Sequence, residues 1–275
     1  MKEIEKNKIV LPQPQIWHHG LVAHHWAEFN TDGGKESKFF KAIIQSSGEP
    51  ALDLGCGSGR LILLYLQEGM DVDGCDISQD MLAVCQARAK KEGLSAQLYQ
   101  QAMHELDLPR RYRTIFACGV VGLGGERRLT MQAMQRCYEH LHPGGSFAFD
   151  YTARWNDPPA WLSRMAEHRR ELPQEWPVSS EREVMADGGE IEIAARTVSM
   201  DPLEETAIRQ IRARLWQNGE LIKEEIHTQH LDDYSKNELV LMLERAGFDG
   251  IQIYGDYTFE TATMEHHNLI FVATK

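Results

Sequence analysis

The chain has 275 residues, and its 41 acidic against 29 basic side chains leave a formal charge of −12 at pH 7. That length holds one large domain or a domain with an insertion, and 42% apolar with 25% charged residues excludes a disordered or fibrous chain. The acidic balance excludes a partner held mainly through a phosphate backbone, so no nucleic acid is expected.

In chain order, residues 1–16 read as a polar arm, and 17–46 carry two short helical patterns, the second with Phe39, Phe40, Ile43 and Ile44 at helical spacing. Gly48 and Pro50 close that segment. Between 51 and 150 short apolar runs alternate with helix-period stretches. Strands are predicted at 51–54, 71–76, 97–101, 114–118 and 146–150, with helices near 59–68, 79–92 and 127–141. Such alternation specifies βαβ units and a parallel sheet covered on both faces, an α/β fold. After Asp150 come a loop rich in proline and tryptophan and then long β-like stretches. Ala207, Ile211, Ala213 and Leu215 fall on one face, opposite Gln210, Arg212 and Arg214, and Asn218-Gly219 signals a hairpin. Residues 178–232 are therefore predicted as an inserted antiparallel meander. Ser235-Lys-Asn-Glu238 is a capping box opening a helix that stops at Gly247, and strands at 250–254 and 268–273 end the chain. This divides the chain into an N-terminal capping segment (1–50), an α/β unit (51–150 with 235–275) and a covering insertion (151–234).

The stretch Ala51-Leu-Asp-Leu-Gly-Cys-Gly-Ser-Gly-Arg60 runs an apolar strand into Gly55-x-Gly57-x-Gly59 and then a helix. Glycines there let the backbone turn tightly and let a ligand approach the main chain. A dinucleotide fingerprint wants glycine at 60, where Arg stands, and this weakens an NAD(P)-dependent oxidoreductase reading. Twenty-one residues after Gly55, Asp76 ends the second predicted strand, where a carboxylate accepts hydrogen bonds from ribose hydroxyls. Turn and acid together point to a nucleoside ligand.

These motifs resemble those of the class I S-adenosylmethionine-dependent methyltransferases. The carriers are Asp53-Leu-Gly-Cys-Gly-Ser-Gly59, Asp76-Ile-Ser-Gln-Asp-Met-Leu82, Leu106-Asp-Leu-Pro109 and Leu141-His-Pro-Gly-Gly-Ser-Phe147. The resemblance implies a Rossmann-like, seven-stranded, mostly parallel sheet with its last strand antiparallel and S-adenosyl-L-methionine as cofactor. It places Gly55, Cys56 and Gly57, within the Gly55–Gly59 turn, along the methionine and ribose, with Asp53 at the ammonium end. It places Asp76 at the ribose hydroxyls, Ile77 and Met81 against adenine, Ala102 and Met103 at the adenine edge, and Cys118 beside the methyl group. Many relatives carry Asp where Ala102 stands; here Glu105 or main-chain groups are the substitutes. The meander is similar in layout to that of glycine and amino-sugar N-methyltransferases, which implies a small-molecule acceptor, N or O. A cofactor-binding protein without catalysis is the other alternative.

An amine or hydroxyl acceptor loses a proton on methylation, and His24, His25, Glu28, Tyr151, Asp256 and Tyr257 are the candidates for contacting it. Trp17, Trp26, Phe29, Trp155 and Trp161 are read as core rather than pocket lining, and Arg110, Arg111, Arg113, Arg127 and Arg128 as solvated surface charge. Five cysteines without CxxC spacing argue against disulfides and a thiolate metal site, and the adjacent pairs His18-His19 and His24-His25 lack a metal-ligand spacing, so no metal is expected. With no apolar signal region and no apolar run beyond residues 61–66, a cytoplasmic protein that does not enter a membrane is expected.

Overall fold

A computed structural model describes residues 17–124, 126–152, 161–178 and 181–275. The predicted arm at 1–16 and Trp155 lie outside the described residues. Helices α1 (Gly20–Phe29) and α2 (Gly34–Ser47) precede β1 (Ala51–Leu54), α3 (Ile62–Gln67), β2 (Val72–Asp76), α4 (Gln79–Lys91), β3 (Leu98–Gln100), β4 (Tyr112–Ala117), α5 (Arg127–His140) and β5 (Leu141–Thr152). A short turn of helix, α6 (Ala166–Arg169), leads to β6 (Arg182–Val184), β7 (Glu190–Asp201), β8 (Thr206–Gln217) and β9 (Glu220–Asp232). The chain then returns through α7 (Lys236–Ala246), β10 (Asp249–Gly255) and β11 (Asn268–Thr274).

The apolar runs pair into one seven-stranded sheet of order β10-β11-β5-β4-β1-β2-β3, in which only β11 runs antiparallel to its neighbours. The expected α/β architecture is therefore present, with the meander as a separate four-stranded sheet of order β6-β7-β8-β9. On one face of the large sheet α2, α3 and α4 bury Phe39, Phe40, Ile62, Leu82 and Cys85. On the other, Met134 and Cys137 of α5 and Leu239 and Leu243 of α7 pack beside Phe147 and Phe149. Burial on both faces is what near-continuous apolar strands such as β1, with all four residues buried, require.

Local signals set the element ends. Ser78 and Ser235 accept from the N–H groups of Met81 and Glu238, three residues into α4 and α7. Gly247 stops α7 in the left-handed region, and Asn218 and Gly219 both take positive φ in the β8–β9 hairpin turn, as a primed turn demands. The helix predicted from 59 begins only at Ile62, because the glycine turn extends to Arg60. Strand β5 starts at Leu141 rather than 146, since Leu141 pairs with Tyr112 before an irregularity restores register at Ser146.

Two arginines read as surface charge are structural instead. Arg110 binds Asp71 and reaches Asp73, while Arg127 donates to Glu238 at 2.8 Å, to Glu205 at 2.7 Å and to the Glu204 and Asp233 carbonyls, tying α5 to the end of the meander and to α7. No helix among the described residues is long and apolar enough to cross a membrane.

Candidate functional site

Strand order reverses at β1, which has β2 on one side and β4 on the other. In an open parallel sheet the crevice at the carboxyl ends of such strands is the place where a ligand fits. A cavity of about 250 Å³ lies there. Its floor is the glycine turn after β1, stitched to β2 by N–H bonds from Gly55 and Cys56 to the Cys75 carbonyl at 2.7 and 3.0 Å. Gly55, Gly57 and Gly59 have φ of +84°, +54° and +90°, so the turn depends on residues without a side chain. At Gly55 a Cβ would stand 2.5 Å from Cγ1 of Val120, inside the cavity wall.

Asp76, at the end of β2, faces the turn. Its Oδ2 accepts from Gly57 N–H and its Oδ1 from Ser78 N–H, both at 2.8 Å, which fixes the carboxylate plane and leaves further lone pairs open. Burial raises its pKa, and those N–H bonds oppose the rise. Asp53 on β1 is 2% exposed; burial pushes its pKa up to about 7, against the opposing charge of Arg60 and with the help of Asp76. Two buried carboxylates in one cavity favour a ligand that brings positive charge.

Ten of the predicted cofactor contacts line this single cavity: Asp53, Gly55, Cys56, Gly57, Asp76, Ile77, Met81, Ala102, Met103 and Cys118. Gly59 does not; it packs behind the turn, where a Cβ would meet Cys85 and Leu63. Gln101 and His104 line the wall at the end of β3, and Glu105 does not.

None of the six predicted acceptor contacts lines the cavity. His24 is exposed. His25 donates to Glu183 at 2.5 Å and Glu28 accepts from Ala186 N–H at 2.6 Å, so both point from α1 to the β6–β7 hairpin. The Tyr151 hydroxyl accepts from Tyr234 N–H at 2.7 Å. Asp256 caps a turn by accepting from the N–H groups of His267 and Asn268. The Tyr257 hydroxyl donates to Asp150 at 2.5 Å, and Asp150 also accepts from Gly119 N–H at 2.6 Å. Tyr257 and Asp150 thus stand behind the lining, where they support the Gly119 backbone and lie close to Cys118.

The far wall comes from residues that sequence reasoning gave other roles. Trp26, expected in the core, lines the cavity with His18 and Asn30; Trp17 lines it too but, like Phe29, also packs with Leu21, Val22, Ile191 and Ile211 as expected, and Trp161 is exposed. This segment is held over the turn from both sides. Gly20 N–H donates to Asp80 at 2.8 Å, the Ser78 hydroxyl donates to the His18 carbonyl, and Leu21 N–H donates to Glu225 at 2.7 Å. Burial lowers the His18 pKa to about 3, with His227 adding to the effect, so its ring is neutral. The loop after β4, Val120–Gly124, with Leu129, Thr130 and Ala133, completes the wall. The signal that could have found Trp26 and Asn30 is their four-residue spacing, which sets the C-cap Asn30 one turn beyond Trp26 of α1.

Residues 51–145 match the family described as a methyltransferase domain. A Geobacillus sp. (strain WCH70) relative, named only provisionally as a methyltransferase, is 34% identical over 115 residues, 41% of this chain and 46% of its own length. The demethylmenaquinone methyltransferase of Lactobacillus johnsonii is 29% identical over 147 residues, 50% of this chain and 60% of its own. The chain thus spans about half the length of the curated relatives it matches. Among solved structures, an S-adenosylmethionine-dependent methyltransferase from Clostridium acetobutylicum superposes with a TM-score of 0.70 at 17% identity, covering 92% of this chain and 96% of that one. The sugar N-methyltransferase KedS8 from Streptoalloteichus sp. superposes with 0.67 at 14%, covering 100% and 98%. At such identities the likeness is one of fold.

Proposed function

We propose that this chain, whose residues 51–145 are a methyltransferase domain, moves a methyl group from S-adenosylmethionine to a small-molecule acceptor. The observation that carries this reading is the meeting of the glycine turn and the Asp76 carboxylate in one cavity, joined by the Gly57–Asp76 hydrogen bond. The residues present suit that cofactor: the glycine cradle admits a ligand where a Cβ would collide, and Asp53 and Asp76 offer negative charge to a cationic one. The twinned glycines and acid do not carry a nicotinamide reading, since Arg60 stands where the third glycine of that turn belongs.

When bound, the cofactor supplies a methyl group on a cationic sulfur: the new bond joins it to the acceptor atom, sulfur keeps the pair of the old bond, and one proton leaves the acceptor. This chain's residues would then hold and align. Asp76 would accept from the ribose hydroxyls, Gly55–Gly57 and Asp53 would take the methionine end, and Ile77 and Met81 would pack on adenine, with Ala102 and Met103 at its edge. Cys118 and Gly119, which follow β4, would lie beside the methyl group, on a backbone that Asp150 fixes through Gly119 N–H. Trp17, His18, Trp26 and Asn30, on a segment that Glu225 of the meander holds through Leu21 N–H, would cover the site and exclude water. Alignment of this kind accounts for up to about 7–11 kcal/mol of barrier lowering in well-oriented reactions, and no nucleophilic side chain is needed.

Calorimetric titration with S-adenosylmethionine and S-adenosylhomocysteine tests the reading. Binding of both is expected, with transfer of label from methyl-labelled cofactor into a metabolite fraction. Binding of neither refutes it.

A further inference from the structure

A dinucleotide turn ends in glycine where this chain has Arg60, and the arginine lines the cavity beside the turn. Among the described residues of the lining it alone carries a fixed positive charge, against the carboxyl groups of Asp53 and Asp76. Its side chain is 17% exposed and bridges the α1–α2 connection to the end of β4. Nη1 donates to the carbonyls of Asp32 at 3.1 Å and Gly33 at 3.4 Å, and Nη2 to the Cys118 sulfur at 3.4 Å. A guanidinium has five N–H donors, and these three bonds, two to neutral carbonyls and one to a weak sulfur acceptor, leave Nε–H and the second Nη2–H for a ligand. Glu36, in the first turn of α2, approaches Nη1 only to 3.7 Å, beyond hydrogen-bond distance. Asp53 is an electrostatic neighbour: burial raises its pKa, and the Arg60 charge opposes the rise.

We propose that Arg60 reads the α-carboxylate at the methionine end of the cofactor, and so selects a ligand with an intact amino acid over a nucleoside without one. The inference rests on the methyltransferase reading above and deepens it. An α-amino acid carries opposite charges on substituents of one carbon, and the cavity offers the matching pair, Asp53 for the ammonium and Arg60 for the carboxylate. A carboxylate that left water for a wall without a cation would lose its hydration unreturned. A charge-assisted bond to a guanidinium returns it, and the planar fork of arginine fits a carboxylate through two parallel N–H groups. The bonds to Asp32, Gly33 and Cys118 hold the guanidinium in place before a ligand arrives, which lowers the ordering cost of binding. They use other N–H groups, so a carboxylate adds to them and does not displace them.

The test uses the full chain and three adenosyl thioethers: S-adenosylhomocysteine, S-adenosyl-3-thiopropylamine, which keeps the amine and lacks the carboxylate, and 5′-methylthioadenosine, which lacks both. Calorimetric titration measures each. S-adenosylhomocysteine is expected to bind at least about tenfold more tightly than S-adenosyl-3-thiopropylamine. Arg60→Gln should weaken S-adenosylhomocysteine at least about tenfold and the other two less than about threefold, so that the preference for the carboxylate disappears. Arg60→Lys, which keeps the charge without the fork, should recover part of that preference. A role confined to holding the Asp32–Gly33 turn would weaken all three ligands alike, and that result overturns the proposal. Equal binding of S-adenosylhomocysteine and S-adenosyl-3-thiopropylamine by the unaltered chain, or unchanged S-adenosylhomocysteine affinity in Arg60→Gln, overturns it too. Comparing ligands within one chain keeps the test valid if a variant is less stable, because a smaller competent fraction lowers all three affinities by the same factor. An unaltered chain that takes neither S-adenosylhomocysteine nor 5′-methylthioadenosine fails the methyltransferase reading itself. One that binds 5′-methylthioadenosine as tightly as S-adenosylhomocysteine keeps the nucleoside site and refutes this inference alone.

Discussion

Replacing Asp53 by Asn separates what the site costs the fold from what it does for a ligand. Asp53 is 2% exposed, and burial raises its pKa from 3.8 to about 7 despite the nearby Arg60 and the Ile62 N–H. A folded-state value above the unfolded one means that the native chain binds the extra proton between about pH 4 and pH 7. Stability is therefore lost as pH rises through that window and levels off above it. A change of about 3 in pKa at about 1.36 kcal/mol each corresponds to about 4 kcal/mol at pH 8. Asn keeps the shape and an oxygen for the Ile62 N–H but must bury an amide, so the net gain expected is about 1–3 kcal/mol at pH 8 and close to nothing at pH 5. Urea unfolding of both proteins without cofactor at pH 5, 6, 7 and 8 measures this difference directly. A difference that does not vary with pH, or an Asn variant less stable at pH 8, refutes the assignment of a destabilising buried carboxylate. In the same variant S-adenosylhomocysteine should bind more weakly, because the negative charge opposite its ammonium is gone.

Asp76→Ala should weaken S-adenosylhomocysteine by about 1–3 kcal/mol in calorimetry, since ribose hydroxyls lose their acceptor; an unchanged affinity would place the ribose elsewhere. Gly55→Ala should lower stability by about 1–3 kcal/mol and abolish cofactor binding, because φ is +84° and the new Cβ meets Val120; thermal melting and titration check both. Adding Val120→Ala should relieve the collision but not the backbone strain. Tyr257→Phe leaves the buried Asp150 with Gly119 N–H but without its hydroxyl donor, and should cost about 1–3 kcal/mol. Because the donor favours the ionised carboxylate, that loss should be larger at pH 8 than at pH 5 in urea unfolding.

The α/β unit and the floor of its cavity were legible because their causes are local. An apolar run makes β1, glycines with positive φ make the turn, Ser78 caps α4, and Asp76 sits at the one place where β2 ends beside that turn. The acceptor wall was not legible, and α1 shows why. Successive residues on a helix are rotated by about 100°, so neighbours in sequence face different surroundings. His25 and Glu28 point to the β6–β7 hairpin, while Trp26 and Asn30 line the cavity. Composition names the same residues for either rotation of the helix. What selects one is the packing of Leu21 and Val22 against Ile191, Ile211 and Ala213 of the meander, together with the Gly20–Asp80 and Leu21–Glu225 bonds. Those partners lie up to 204 positions away in sequence, beyond the reach of any periodicity. The rotation of α1 is thus set by the insertion, and so is the choice of which aromatic side chains line the cavity. A change in β7 or β8 that turned this helix by one residue would bring His25 and Phe29, or Ala27 and Thr31, to the places of Trp26 and Asn30 and so replace the indole in the wall.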